Sequence, residues 1–207
     1  MWKVLCSMKK ERWNKVQIVQ QAFTIEGKVH PRFEHTLRVL EKALELNQMH
    51  HLNLRIEQIE DAALFHDIAK LQPPHELMHY LKTHYSHLCP ELLSYPAIWH
   101  AFVGAIVAEE QYGITDSNVC HAILYHTTGR PEMTDLEKLI FISDYVENGR
   151  MGIAFEQARK MANQNLDRAI IVILEQTFAY LKKKGEPIYS LSQETYDYYV
   201  KRGEADV

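Results

Sequence analysis

Apolar residues recur along most of the chain at intervals of three and four positions, and no sustained run alternates between apolar and polar residues. This period is that of an amphipathic α-helix, whereas alternation would indicate a β-strand. The pattern, bounded by prolines, glycines and capping residues, predicts helices over residues 9–24, 31–47, 56–70, 96–113, 116–129, 134–144, 154–184 (as one or two helices) and 190–202. The predicted fold class is therefore all-α, in a single helical bundle.

The composition narrows the class of protein. A chain of 207 residues with 46% hydrophobic residues can form one domain with its own core. Its 23 basic and 27 acidic side chains give a net charge of −4, which argues against a nucleic-acid partner because nucleic acid needs a basic face. No apolar run approaches the ~18–20 residues that span a bilayer. We therefore expect a cytoplasmic protein without a nucleic-acid or membrane partner.

The three cysteines include no CxxC pair, so neither a disulfide framework nor a thiolate zinc site is indicated. Histidine, with 12 copies, is the unusual component. The pair His66-Asp67 follows the apolar run DAALF, and two such polar groups at a buried helix end are costly unless a partner such as a divalent cation compensates them. Because helical neighbours diverge by about 100°, other helices must complete a metal site. Candidates on amphipathic helices are His35, His100, His126 and Asp144.

Each of these residues also has a purely structural interpretation. A lone histidine on an apolar helix face is usually a hydrogen-bonded core residue, and Asp144 could pair with Arg150 or Lys138. The joint pattern of His35, His66-Asp67 and Asp144 favours a metal site. The other histidines are assigned to the surface or the core, and those in residues 75–87 to a solvated stretch: His30, His50, His51, His75, His79, His84, His87 and His121.

Basic and hydroxyl side chains near these candidates suggest an anionic substrate. Lys70 shares a helix face with the His-Asp pair, although a lysine at a helix C-terminus also favours the helix dipole. His126 is followed by Thr127-Thr128-Gly129, which is an ordinary helix stop but also offers hydroxyls, and then by Arg130, whose planar fork suits phosphate oxygens. A cation would polarise a phosphoryl oxygen and lower the pKa of a bound water from ~15.7. Together these residues predict cleavage of a phosphoester or phosphoanhydride.

The order His35, His66-Asp67, Asp144 resembles the HD-domain superfamily of metal-dependent phosphohydrolases, a helical fold. More narrowly, the chain is similar to the YqeK family of HD-domain proteins through five collinear blocks within residues 30–180: RFEHTLRV, ALFHDIAK, HAFVGAIVAEEQYGI, AILYHTTGRPEM and LEKLIFISDYVENGR. The resemblance implies symmetrical hydrolysis of diadenosine tetraphosphate to two ADP. It also implies an HD phosphohydrolase domain over residues 26–207, preceded by an N-terminal helical extension, residues 1–25, that no block covers.

Carried over to this chain, the resemblance implies three sets of site residues. The ligands of iron, as one or two ions, would be His35, His66, Asp67 and Asp144, and such donors also accept manganese, cobalt or zinc. His100 and His126 could also hold a second metal ion. The substrate and its phosphates would contact His35, Lys70, His100, His126, Thr127 and Arg130, with Arg150 as a further candidate. The catalytic residues would be Asp67, Lys70, His100 and His126. One of the last two histidines, with a pKa near neutrality, would protonate the departing oxygen or stabilise the transition state.

Alternative functions stay open on the sequence alone. Other HD-type phosphohydrolases cleave nucleoside triphosphates, cyclic nucleotides or guanosine polyphosphates, and helical iron proteins of HD type can act as di-iron oxygenases. A nucleotide-binding regulator with a residual site is a further alternative.

The apolar segment Ile170–Leu174 and the Tyr-rich tail could form either a homodimer interface or part of the core.

Overall fold

The computed structural model describes residues 14–205. Within that range the chain is helical almost throughout, which confirms the all-α prediction. A short antiparallel hairpin of β1 (Thr24–Ile25) and β2 (Lys28–Val29) joins the first two helices. The helices are α1 (described over 14–22), α2 (Arg32–Met49), α3 (Ile56–Phe65), α4 (Pro74–His84), α5 (Cys89–Leu92), α6 (Trp99–Tyr112), α7 (Ser117–Leu124), α8 (Asp135–Val146), α9 (Ile153–Ala162), α10 (Leu166–Lys184) and α11 (Ser190–Ala205).

Helix ends with local sequence signals lie where they were predicted. The Asp116 side chain caps α7, and Thr134 and Glu137 form the capping box at the start of α8. Gly113 and Gly185 end α6 and α10 in the left-handed conformation, which glycine adopts without steric cost. Each of these signals acts within one helical turn, so the sequence is sufficient to show it.

The helix predicted over residues 56–70 is shorter than expected. It ends at Phe65, and the chain continues in turns closed by hydrogen bonds between residues three apart. The His66 ring hydrogen-bonds through Nδ1 to the Ala63 carbonyl at 2.7 Å, the acceptor that the Asp67 amide would need if the α-helix continued. The side chain of a candidate ligand therefore ends the helix that carries it.

Three other regions differ from the predicted helices or define them more closely. The segment 154–184 is two helices, because Asn165 caps a new helix with its side chain. Helix α4 was not predicted, since only Leu77 and Leu81 of its eleven residues are buried and the apolar stripe is too short to detect. The hairpin was missed because each of its strands has only two residues. The predicted helix start at residues 9–13 lies outside the described residues.

The core joins all parts of the described chain. Val19 and Phe23, from the segment predicted as an extension, are buried in it, so residues 14–25 pack on the same body; the division after residue 25 remains a prediction. Ile170 and Leu174 are buried, as is Tyr199 of the tail, which places these residues in the core of the single chain. Among the helices of residues 14–205, none combines the length and the apolar character needed to cross a bilayer.

The packing of five helices positions the candidate site residues. Helix α2 packs on α3 and α8, and α7 packs on α3 and α8. Helix α6 lies against α7 and approaches the end of α3 closely: a Cβ atom on Gly104 would lie 3.4 Å from the His66 carbonyl oxygen. The histidines of residues 75–87 are exposed, as predicted from their polar surroundings.

Candidate metal centre

Four residues from different parts of the chain converge at the helix ends. His35 lies in the first turn of α2, His66 and Asp67 follow α3, and Asp144 lies near the end of α8. The His35 Nε2 atom is 3.0 Å from Oδ1 of Asp144 and 3.7 Å from Oδ2 of Asp67. The His66 Nε2 atom is 3.4 Å from the same Asp67 oxygen. The structure thus brings together the four residues to which the sequence assigned a metal.

The two oxygens of Asp67 face two different sides of this cluster. Oδ2 faces His35 and His66, whereas Oδ1 lies 3.3 Å from Nε2 of His100 and 3.8 Å from Nε2 of His126. Two overlapping groups of side chains could accordingly hold an ion, and they share His66: His35, His66 and Asp144 form one, and His66, Asp67 and His126 form the other.

The backbone fixes the orientation of two imidazoles. Nδ1 of His66 hydrogen-bonds to the Ala63 carbonyl, and Nδ1 of His126 hydrogen-bonds to the Ile123 carbonyl, both at 2.7 Å. A carbonyl only accepts, so in each neutral ring Nδ1 carries the hydrogen and Nε2 keeps its lone pair. The two Nε2 atoms lie 3.4 and 3.8 Å from carboxylate oxygens of Asp67, and an unprotonated nitrogen is the form that binds a metal.

His35 is oriented by a carboxylate that the sequence analysis did not identify. Its Nδ1 lies 3.2 Å from Oε1 of Glu147, just beyond the end of α8. Oε2 of Glu147 accepts hydrogen bonds from Arg38 Nε at 2.6 Å and from the Gly149 amide. A metal-bound histidine commonly donates its other N–H to such a carboxylate. Glu147 stands in the matching block DYVENGR, three residues after Asp144, and that spacing was the available signal.

Two arginines donate hydrogen bonds to the carboxylate oxygens that also face His35. Arg32 Nη1 donates to Oδ2 of Asp67 at 2.9 Å, and Arg150 Nη2 donates to Oδ1 of Asp144 at 2.9 Å. Arg32 was not singled out from the sequence, although its position three residues before His35 places it on the same face of α2. The pairing of Asp144 with Arg150 agrees with the structural interpretation of this aspartate, and it coexists with the contact to His35. Lys138, the other partner considered, pairs instead with Asp167.

Electrostatics favour charged forms in the cluster. Burial opposes ionisation of Asp67, but the neighbouring imidazoles outweigh it and hold the pKa of Asp67 well below its usual range. The pKa of Asp144 is likewise lowered, since contacts with His35 and Arg150 outweigh burial. Burial would lower the pKa of His66, yet Asp67 raises it above its ordinary value. Two ionised carboxylates thus share a site with a group that attracts a proton, and a cation would take the place of that proton.

The residues present fit a divalent metal ion. The Nε2 atoms of His35 and His66 are buried and have no hydrogen-bond partner among the described residues. Buried polar atoms are nearly always partnered, so two such nitrogens beside ionised carboxylates fit a cation-binding site better than a complete hydrogen-bond network. Imidazole nitrogen and carboxylate oxygen together suit iron, manganese, cobalt or zinc.

Lys70, His100 and His126 form a chain on the Oδ1 side of Asp67. Lys70 Nζ lies 3.3 Å from Nδ1 and 3.2 Å from Nε2 of His100, and the Nε2 atoms of the two histidines are 3.2 Å apart. Burial lowers the pKa of His126 to about 4, and burial with His126 nearby lowers that of His100 well below its ordinary value. The near-neutral pKa expected from the sequence was therefore wrong, because both rings are buried. Lys70 is the cation of this group, although burial lowers its pKa too.

Two other predicted phosphate contacts, Thr127 and Arg130, lie in the turn after α7 and differ in their hydrogen-bond partners. The Thr127 hydroxyl oxygen is buried and has no hydrogen-bond partner in the described part of the chain, so it can serve a ligand. Arg130 instead forms a bidentate pair with Glu137, at 2.8 and 2.9 Å, and Glu137 also holds the capping box of α8. A phosphate contact by Arg130 would require this pair to open, because Nε and Nη2 are both engaged. That role remains a prediction, and Arg32 and Arg150 lie beside the cluster itself.

Comparison with known proteins identifies the family. The family model described as HD domain matches residues 32–149, a segment that contains every ligand proposed above. The chain belongs to the HD-domain family.

Named relatives of this HD-domain protein share most of its length. The symmetrical bis(5'-nucleosyl)-tetraphosphatase of Bacillus subtilis (strain 168) is 35% identical over 170 residues, which cover 82% of this chain and 89% of that protein. The protein of the same name from Halalkalibacterium halodurans is 38% identical over 167 residues, or 80% and 87% of the two chains. These identities extend the match well beyond the metal ligands.

A solved structure has the same fold. A Clostridium acetobutylicum protein, described as a predicted HD superfamily hydrolase involved in NAD metabolism, superposes with a TM-score of 0.83 at 30% identity. The alignment covers 92% of this chain and 97% of that one. The helical arrangement around the cluster is therefore that of a known HD-domain protein.

The Glu147→Gln substitution tests whether this carboxylate orients His35. We expect metal affinity to fall about 10- to 100-fold, the usual effect of losing a partner behind a ligating histidine. Competition with a chelator for cobalt would measure it. The exposed Glu156→Gln on α9 is the matched control and should keep its affinity. Unchanged affinity in Glu147→Gln would limit this carboxylate to its pairing with Arg38.

Proposed function

We infer that this HD-domain protein hydrolyses diadenosine tetraphosphate symmetrically to two ADP. The observation that carries the inference is the set of relatives named symmetrical bis(5'-nucleosyl)-tetraphosphatase, at 35–38% identity over at least 80% of this chain. Their names favour this reaction over cleavage of nucleoside triphosphates, cyclic nucleotides or guanosine polyphosphates, and over oxygenase chemistry. The protein is a metal-dependent acid-anhydride hydrolase.

We propose that His35, His66, Asp67 and Asp144 bind the metal, and that it is iron. The contacts among these four residues and the two unpartnered Nε2 atoms support the ligand set. When bound, the ion polarises a phosphoryl oxygen and makes water a better nucleophile near neutral pH. Arg32 and Arg150 donate to Oδ2 of Asp67 and Oδ1 of Asp144, and these bonds limit the ways in which the two carboxylates can turn.

We propose that Lys70, His100, His126 and Thr127 act on the phosphates. Because Nδ1 of His126 is bonded to the Ile123 carbonyl, its Nε2 accepts, and His100 then donates from its own Nε2. Nδ1 of His100 is left to accept from Lys70, which is 3.3 Å away. This order holds the ammonium group beside the cluster, where it can neutralise charge that develops on a phosphate oxygen. Thr127 offers its hydroxyl to the same phosphates.

The decisive experiment is chromatography of the products from diadenosine tetraphosphate, with metal analysis of the same preparation. We expect ADP as the only nucleotide product, since cleavage at the centre of the bridge gives two identical halves. Treatment with a chelator should abolish turnover, and ferrous ion should restore it better than manganese, cobalt or zinc. Release of ATP with AMP, or turnover that survives complete removal of metal, would contradict the proposal.

A further inference from the structure

Symmetrical cleavage breaks the central P–O–P bridge, so one ADP half carries the attacked phosphorus and the other ADP half is the leaving group. The attacking and leaving oxygens in phosphoryl transfer lie roughly in line, so the leaving half points away from the attacking water, and the other half extends from the phosphorus in a different direction. Lys70, His100 and His126 lie on the Oδ1 side of Asp67. They can serve one half of the substrate, and the other half needs a separate site, for which the Oδ2 side of Asp67 is the remaining face.

A cavity lies on the side of the cluster that Oδ2 of Asp67 faces. Its volume is about 310 Å³, which is within the usual range for a small-molecule site. The walls come from the segment His30–Arg32 on one side and from Gly149 and Arg150 on the other, with His35 and Glu147 between them. Because His35 is both a wall residue and a proposed ligand, the cavity reaches the cluster directly.

The cavity presents donors for an anion. Arg32 uses one N–H on Asp67, and a guanidinium has five, so most of its fork is available for phosphate oxygens. Nδ1 of His30 accepts the backbone N–H of Arg32 at 3.1 Å. In the neutral ring this bond leaves the hydrogen on Nε2, which makes His30 a donor as well.

The chain next to the cavity exposes apolar side chains. Met151 and Ile153, just after Arg150, are 80% and 76% exposed. The Arg150 guanidinium lies 5.9 Å from the ring centre of Phe155, so this loop stays close to the cavity wall. Exposed apolar groups beside a polar cavity are typical of a ligand-binding surface, and a purine ring has the flat apolar face to cover them.

We propose that this cavity is a second half-site, which holds one ADP moiety of the dinucleotide. Its phosphates contact Arg32 and His30, and its nucleoside lies against Met151 and Ile153. The inference rests on the proposed function, since only a substrate with two nucleoside diphosphate halves requires it.

The test combines kinetics with product binding. The variants are His30→Ala, at a half-buried position, and the double substitution Met151→Ser with Ile153→Ser, at exposed positions where folding should stay intact. The control is Met49→Ser, an exposed methionine at the far end of α2. We expect KM for diadenosine tetraphosphate to rise about tenfold in the cavity variants, with a smaller change in kcat, and to stay unchanged in the control. Equilibrium dialysis of ADP against the ferrous holoenzyme should give two ADP per wild-type chain, and the second ADP should bind about tenfold more weakly in the double variant.

The outcomes separate the two proposals. A wild-type protein that forms no ADP from diadenosine tetraphosphate would overturn the proposed function itself. A wild-type protein that does form ADP but binds one ADP per chain at saturation would overturn the second half-site alone. Cavity variants that keep both the wild-type KM and the wild-type affinity for the second ADP would also exclude it.

Discussion

The Asp67→Ala protein is expected to contain no metal and to release no ADP from diadenosine tetraphosphate. Asp67 contacts both sides of the cluster, whereas Asp144, the other carboxylate of the proposed ligand set, lies with His35 and His66. Loss of Asp67 would remove one of the four proposed ligands from the centre of the cluster. Turnover should fall by ~10³-fold or more, because the metal supplies several kcal/mol of transition-state stabilisation. Metal analysis and product chromatography on one preparation measure both effects.

A matched control for this loss is Asp197→Ala. Asp197 lies exposed on α11, where it accepts a hydrogen bond from Gln193, and its removal should change neither metal content nor turnover. Circular dichroism should show that both variants keep the helical content of the wild type. An Asp67→Ala protein with full metal and full activity would disprove the role assigned to this carboxylate.

The Lys70→Ala protein is expected to keep its metal and to lose about 10²- to 10³-fold in turnover. Removal of one group that stabilises developing charge typically has an effect of this size. The metal should stay because Nζ of Lys70 contacts His100, which is outside the four-residue ligand set. Steady-state kinetics with diadenosine tetraphosphate and metal analysis distinguish the two quantities.

Two further variants sharpen the result for Lys70. Lys70→Arg keeps the positive charge and should recover part of the activity, whereas Lys82→Ala, at an exposed position on α4, should behave as wild type. Loss of metal in Lys70→Ala would instead assign this lysine a structural role at the centre.

The sequence was sufficient to predict those features that depend only on residues within one helical turn. The caps at Asp116, Thr134, Gly113 and Gly185 are local, and each lies at the predicted place. The end of α3 at Phe65 is also local. It depends on the His66 side chain, which competes with the backbone for the Ala63 carbonyl. The period of the apolar residues gives no information on such competition.

The metal ligands could be predicted in part. A polar residue buried after an apolar run needs a cation or a hydrogen-bond partner to offset the cost of its burial. The residues that support the ligands could not be predicted, since they act over long sequence distances: Glu147 meets His35 across 112 positions, and Arg32 meets Asp67 across 35. The lowered pKa of His126 could not be predicted from the sequence either, because it depends on how completely the surrounding helices bury the ring.

The bonds from His66 to Ala63 and from His126 to Ile123 each span three residues at the end of one helix. The last carbonyls of a helix lack donors from the helix itself, so each imidazole donates to an acceptor at the point where its helix ends. The orientation of one proposed metal ligand, His66, and of one proposed phosphate contact, His126, is thus fixed by segments of a few residues, without help from the remainder of the chain. An unrelated helical scaffold could acquire the same pair of oriented imidazoles by ending two neighbouring helices with a histidine placed three residues after the carbonyl that it binds.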